Sequence, residues 1–348
     1  MNWRLLKELC EAHGVSGYET EVLSLVAQKI LPFVDSAEYD RCGNLVAFKK
    51  GTKGSLGKTV LYSCHADEVG FVINHIDGDG RLYFDAIGMS PLVYAGRRVL
   101  VGKDRIPGII SVKPFHLVSS DERDKTPDAG ELFIDIGAKT KEEAEKLGLF
   151  ADYAVFDTEF SDFGEEMIKT KALDDRVGCA LLVSLLERGV EYDSYFAFCV
   201  GEETGLRGSK AVANLIRPDL CINLECTTAG DIYGVTGAER TCLLGGGAVV
   251  PHMDGSAVYT PSLYKTIRAL AQKNGIDCQT KTKIAGGTDA GSYTRVAGGC
   301  VITGIAVPTR YIHSASCVAK KSDIEATEKL LFAVSDNIKD LLKQGGRT

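Results

Sequence analysis

Stretches of apolar residues at two different periods divide the chain into three parts. In residues 1–66, Trp3, Leu6, Leu9 and Cys10 recur at helical spacing, and Gly14 stops them. Ser16-x-x-Glu19 has the form of a capping box, which predicts a second helix with Val22, Leu23, Leu25, Val26 and Ile30 inward and Pro32 near its end. A turn at 40–44 leads to a strand over 45–48, and the glycine-rich connection 51–57 leads to a strand over 59–64. That second strand is apolar on both faces, as a central strand is. From about 69 to 158 the pattern changes to short alternating segments at 70–76, 81–86, 98–101, 106–112 and 132–136, separated by Gly and Asp turns such as 77–80. These predict a small all-β module with a polar loop at 119–130 and a short charged helix at 140–147. From residue 171 the α/β pattern returns. It predicts a helix at 179–186, strands at 195–200, 221–224 and 300–305, helices at 210–216 and 260–273, and a closing helix over 322–343. A further strand begins at 281 and runs into a glycine-rich turn that holds Asp289.

Polar residues cluster where the predicted strands end. Gly201 stops the strand 195–200, and Glu202 and Glu203 follow it. In α/β sheets, ligands bind beyond the carboxyl ends of the strands. Two neighbouring ionised carboxylates repel unless something positive lies between them. A divalent cation supplies that charge, and a second carboxylate beside it serves as a general base. An isolated Glu-Glu is ordinarily a solvated turn, but here the pattern recurs. The strand 59–64 ends in His65-Ala-Asp67, and the strand 221–224 ends in Glu225. Asp67 is spaced to accept the ring N–H of His65 that does not face a metal. Asp174 and Asp175 open a helix, where the dipole favours negative charge. A cap needs one aspartate; two followed by Arg176 point to a carboxylate bridging cations. His313 follows the last strand and can supply a second imidazole. His75 reads as a hairpin residue, and His116 and His252 as exposed. The glycine-rich stretch 237–247 lacks a phosphate-loop signature and reads as a loop near the site.

Composition narrows the function classes. The 348 residues suffice for one large or two medium domains. The 40 basic and 47 acidic residues leave a net charge of −7, which argues against a nucleic-acid partner. No stretch approaches the roughly 20 apolar residues of a membrane helix. The N-terminal residues form an amphipathic pattern without the apolar core of a signal peptide. The eleven cysteines include several inside apolar runs (Cys64, Cys179, Cys199, Cys221) and no C-x-x-C pair, so they read as small buried hydrophobes in a reducing cytoplasm.

His65-x-Asp67-Glu-Val-Gly, Ala172-Leu-Asp174-Asp-Arg-x-Gly, Gly201-Glu202-Glu203-x-Gly and Arg310-Tyr-Ile-His313-Ser occur in this order. Together they resemble the motifs of the M42 metallo-aminopeptidases, the tetrahedral, deblocking and glutamyl aminopeptidase group, over nearly the whole chain. The resemblance implies an α/β, mixed-sheet, phosphorylase/hydrolase-like catalytic domain at 1–66 and 160–348. A β-barrel-like dimerisation domain is inserted at 67–159. It implies two divalent cations, zinc first with cobalt or manganese as alternatives. Asp174 would bridge them, His65 and Glu225 would complete one site, and Glu203 and His313 the other. Glu202 would be the general base, with Asp67 and Asp175 behind the ligands and a strained cis peptide at Asp174–Asp175. Substrates would be short peptides admitted to a homo-oligomer, a dodecameric shell of dimers. An S1 pocket built from 237–247 and 286–292 would bring Asp289 near the substrate and favour basic side chains. The family usually has aspartate at position 225; Leu224-Glu225-Cys226 departs from that, with Asp231 as the alternative ligand.

Other chemistries fit parts of the pattern. Paired carboxylates also serve glycoside hydrolases of the endoglucanase type, but that chemistry needs no histidines. An amidase or deacylase could use the same two-metal scaffold, and a non-catalytic assembly subunit could retain the fold.

Overall fold

A computed structural model describes residues 1–284 and 286–345; Ala285, inside the predicted glycine-rich turn, lies outside the described residues. The chain builds a mixed α/β body around an eight-stranded sheet. Its order is Ser36–Tyr39, Leu45–Lys49, Ser194–Cys199, Val60–His65, Leu220–Thr228, Val301–Thr309, Ala248–Val250 and Cys278–Thr280. The four middle strands are mutually parallel, so their carboxyl ends share one edge. The register sets Cys199 beside His65, and Glu225 beside Ala306.

Helices cover both faces, which is why Val60–His65 is buried throughout. Tyr62 and Cys64 point into a core shared with the helices Trp3–Glu11, Thr20–Ile30, Leu173–Arg188 and Lys321–Asp336. Leu61, Ala197 and Cys199 point the other way, against Val212 and Ala213 of the helix Arg207–Ile216 and Tyr293 of Ala290–Tyr293.

Beyond His65 the chain enters a closed barrel of Gly70–Ile76, Leu82–Ile87, Phe133–Asp135, Ile106–Ile110, Arg98–Val101 and Tyr153–Phe156. Phe71 fills its centre, edge-on to Phe84, Tyr94 and Phe156 at 5.0, 5.3 and 5.3 Å. On the way back, Met167–Thr170 pairs with Cys317–Lys320 in a small separate sheet. This ties the returning chain to the segment that follows His313.

Several elements differ from the sequence expectation. The helix Thr20–Ile30 has no side-chain cap. Ser16 and Glu19 are engaged at the strand edge described below, so the capping box does not form. The expected closing helix is two, Lys321–Asp336 and Ile338–Gly345, broken at Asn337. The strand Leu220–Thr228 continues past Glu225, because its partner Val301–Thr309 extends alongside it to Thr309. The strands Ser36–Tyr39 and Tyr153–Phe156 were not expected, and the strand before the glycine-rich turn is Cys278–Thr280 rather than one starting at 281.

Candidate metal centre

The shared carboxyl edge floors a cavity of about 530 Å³. His65, Asp174, Glu202, Glu203, Glu225 and His313 all line it. His65 is the last residue of its strand and is buried. Its Nδ1 lies 3.2 Å from the Asp67 carbonyl oxygen and 3.4 Å from Asp67 Oδ1. A carbonyl can only accept, so Nδ1 carries the proton. Nε2 then faces Asp174 Oδ1 at 3.3 Å and Glu225 Oε2 at 3.5 Å. His313 repeats the arrangement: its Nδ1 donates to the Gly88 carbonyl at 3.0 Å. Its Nε2 lies 3.0 Å from Glu203 Oε1 and 3.7 Å from Asp174 Oδ2. One carboxylate, Asp174, therefore spans two imidazoles whose free nitrogens both point at it.

The donors fit divalent cations. Asp174 Oδ1 is buried without a hydrogen-bond partner among the described residues. Donor atoms of His65, Asp174 and Glu225 lie within 4.8 Å of one another, and so do those of Asp174, Glu203 and His313. Burial presses Glu225 up to about 7 and Glu202 up to about 10, against the pull of His65. Burial works against protonation of His313, yet the Asp174 and Glu203 carboxylates push it up to about 11. So many opposed charges in a buried space are the signature of a site built to hold cations.

Asp67 joins two strand ends. Its carboxylate accepts from the amides of Glu202 and Glu203 at 3.0 and 3.1 Å and from Ser16 Oγ at 2.6 Å. Burial opposes its ionisation, but His65 and these donors keep it below the usual carboxylate range. Glu19 Oε1 accepts from the Gly201 amide at 3.1 Å, pinning the turn that presents both glutamates. Asp175 is buried behind Asp174, accepts from the Gly178 amide at 3.1 Å, and is raised by burial. A side chain at position 178 would overlap its carboxylate. The Asp174–Asp175 peptide is cis, and both residues have non-helical backbone angles although they precede a helix.

Three sequence expectations are corrected. Asp289 does not face the cavity: it is fully buried and its two carboxylate oxygens have no hydrogen-bond partner among the described residues, while Thr288 takes the wall. The charged residue on that wall is Lys281, together with Gly286 and Gly287; residues 237–247 do not line it. Arg176, which follows the two aspartates, serves the N-terminal segment. It is buried against the carbonyls of Leu9, Ala12 and Ala66 and pairs with Glu68 at 3.0 Å. Asp231 stands outside the cluster, in a two-pronged pair with Arg310 at 2.8 and 2.7 Å. His75 and His252 are exposed against Tyr83 and Tyr264, and His116 is exposed. Sequence reasoning missed Ser16 and Glu19 because they mimic a helix cap. It missed Gly88 because a backbone carbonyl leaves no side-chain signal.

Residues 43–330 match the family described as M42 glutamyl aminopeptidase. FrvX of Escherichia coli (strain K12) is 35% identical, with 95% of this chain and 94% of that protein covered. Aminopeptidase APDkam598 from the archaeon Desulfurococcus kamchatkensis superposes with a TM-score of 0.92 at 34% identity, covering 99% of this chain and 98% of that one. The Pyrococcus horikoshii TET1 peptidase, which can assemble into a tetrahedron or a large octahedral shell, superposes with a TM-score of 0.82 at 32% identity, covering 95% and 98%. With its parallel strand ends converging on one carboxylate-and-imidazole cavity, this chain belongs to the M42 glutamyl aminopeptidase family.

Proposed function

We propose that the protein is a metal-dependent aminopeptidase that removes N-terminal residues from short peptides, with Glu202 as its general base. The observation that carries this reading is the Asp174 carboxylate set between the Nε2 atoms of His65 and His313, with Glu225 on one side and Glu203 on the other. His65, Asp174 and Glu225 would hold one divalent cation, and Asp174, Glu203 and His313 a second. Two imidazoles and three carboxylates suit zinc, with cobalt or manganese as substitutes. When bound, such a pair supplies Lewis acidity to the scissile carbonyl and makes water nucleophilic at neutral pH.

The chain's own residues do the rest. Asp67 fixes the backbone of Glu202, so its carboxylate stays at the cavity beside His65. Glu202 takes a proton from the attacking water and delivers it to the departing amine nitrogen. Asp67 and the Gly88 carbonyl keep both imidazoles in the Nδ1–H form, which leaves Nε2 free. Asp175 supports the bridging carboxylate from behind. The two imidazoles also separate this reading from a glycoside hydrolase, whose carboxylate pair works without them.

We assign the catalytic unit to 1–66 and 160–348 and a dimerising unit to 67–159. Apolar side chains stand exposed on the barrel and its loops at Leu92, Ile109, Val112, Phe115 and Leu117, which supports self-association there. By likeness to the TET1 shell, dimers would close into a dodecamer that admits short peptides and excludes folded proteins. All eleven cysteines are free thiols, which suits a cytoplasmic setting.

The test is Glu202→Gln. It should keep two ions per chain and lose about 10²- to 10⁴-fold in kcat on an aminoacyl anilide. A folded, metal-loaded variant that works at the parent rate would refute the assignment.

A further inference from the structure

The inserted barrel reaches the metal centre through its backbone. The turn after Leu82–Ile87 carries Gly88, whose carbonyl oxygen accepts from His313 Nδ1 at 3.0 Å across 225 residues of sequence. Gly88 sits at φ 70°, in the left-handed region, and lines the cavity. A methyl group on it would lie 2.9 Å from Val69 Cγ1 and 3.1 Å from Glu203 Oε2. The turn is therefore seated against Glu203 and His313, the two groups that belong to that half of the site alone.

A second contact comes from the same end of the barrel, where the end of Tyr153–Phe156 and the end of Leu82–Ile87 both flank the start of Gly70–Ile76. Thr158, just past the last barrel strand Tyr153–Phe156, donates through Oγ1 to the Ala315 carbonyl at 2.7 Å. Ala315 also packs against the barrel's core. The loop that carries these anchors is not a relaxed one: Tyr311 and His313 have φ of 61° and 59°, a region non-glycine residues hold only when their surroundings enforce it. His65 does not depend on the barrel strands, the first of which starts only at Gly70. Its ring is held by Asp67, two residues along the same strand extension.

We propose that Gly88 is a positioning residue for His313. Through Gly88 and Thr158, the barrel sets how tightly the His313–Glu203 half holds its cation, and it leaves the His65–Glu225 half alone. This inference rests on the two-cation reading above. The physical basis is that a ligating imidazole is oriented by whatever accepts its other N–H.

The test counts bound ions in the full-length, metal-depleted chain titrated with zinc at buffered free concentrations. The parent should bind two, and His313→Ala should identify which binding step belongs to that half. Gly88→Ala keeps the carbonyl, but its methyl forces the turn away from Val69 and Glu203. With the acceptor displaced from His313, that step should move to about 10–100-fold higher free zinc and the other stay unchanged, the usual effect of weakening an outer hydrogen bond to a ligand. Thr158→Val should move the same step in the same direction by less. Gly96→Ala is the control for backbone strain, since Gly96 is also in the barrel region at φ 73° but its methyl would meet only Val112; it should titrate like the parent. If Gly88→Ala fails to fold, Thr158→Val decides alone. Parent-like titration of the folded variants, or equal weakening of both steps, overturns the inference and leaves the two-cation reading standing. A parent that binds one ion overturns both.

Discussion

The carboxylate of Asp67 holds two parallel strand ends in register. It meets the Glu202 and Glu203 amides and Ser16 Oγ, and it lies beside the His65 ring. Asp67→Asn would turn one acceptor oxygen into a donor facing N–H groups. It should lower kcat/KM by about 10–100-fold, as loss of an outer ligand partner does. Ser16→Ala removes one donor and leaves both oxygens as acceptors. It should reduce stability by about 1 kcal/mol in urea unfolding and change kcat/KM much less. Equal losses from the two substitutions would show that Asp67 acts as a generic buried polar group. Of this network only the His65–Asp67 spacing was legible in the sequence. Ser16 and Glu19 carry a helix-cap pattern, and nothing local distinguishes a cap from a brace that reaches another strand.

At the scale of elements, the site is a set of strand ends held by buried charge. Glu68, one residue beyond Asp67, accepts from Lys171 Nζ at 2.8 Å and Arg176 Nη2 at 3.0 Å, and all three are buried. Burial pulls Lys171 below its ordinary range, and Glu68 resists that pull. Glu68→Gln would strand two cations inside the protein. It should destabilise the fold by about 3–5 kcal/mol in denaturant titration; a change under 1 kcal/mol would mean that carbonyls alone satisfy them. The end of Val301–Thr309 is braced differently, by Asp231 against Arg310. Burial would raise Asp231, but Arg310 holds it below the usual carboxylate range. A depressed carboxylate adds stability above its unfolded pKa, and that stability is lost as pH falls through the lower folded pKa. The melting temperatures of the parent and Asp231→Asn should therefore differ at neutral pH and converge in acid. The gap should be small, because the pair is partly solvated.

The strand ends at His65 and Glu202 were readable because an apolar run stops abruptly at a polar residue. Glu225 was placed at a strand end, yet its strand continues to Thr228, because pairing with a long neighbour outlasts the apolar run. Tyr153–Phe156 escaped notice since four apolar residues have no period to read. Asp289 could be seen in the sequence, but its direction could not. Only the packing of Ala290–Tyr293 under the sheet turns it inward.

For the whole molecule, the barrel and the sheet domain cooperate on one cavity, so metal, assembly and activity should fail in a defined order. A strong chelator should abolish anilide hydrolysis, and adding back zinc, cobalt or manganese separately should restore it to different extents. Charge substitutions at the exposed Phe115 and Leu117 should shift the sedimentation coefficient toward smaller species. They should not remove metal. The central claim is that five side chains from distant parts of the chain hold two cations around Asp174. The most direct measurement is anomalous diffraction at the zinc edge from crystals of the zinc-loaded protein. The account predicts two peaks flanking the Asp174 carboxylate, one against His65 and Glu225 and the other against Glu203 and His313. A single peak, or density away from Asp174, would contradict it.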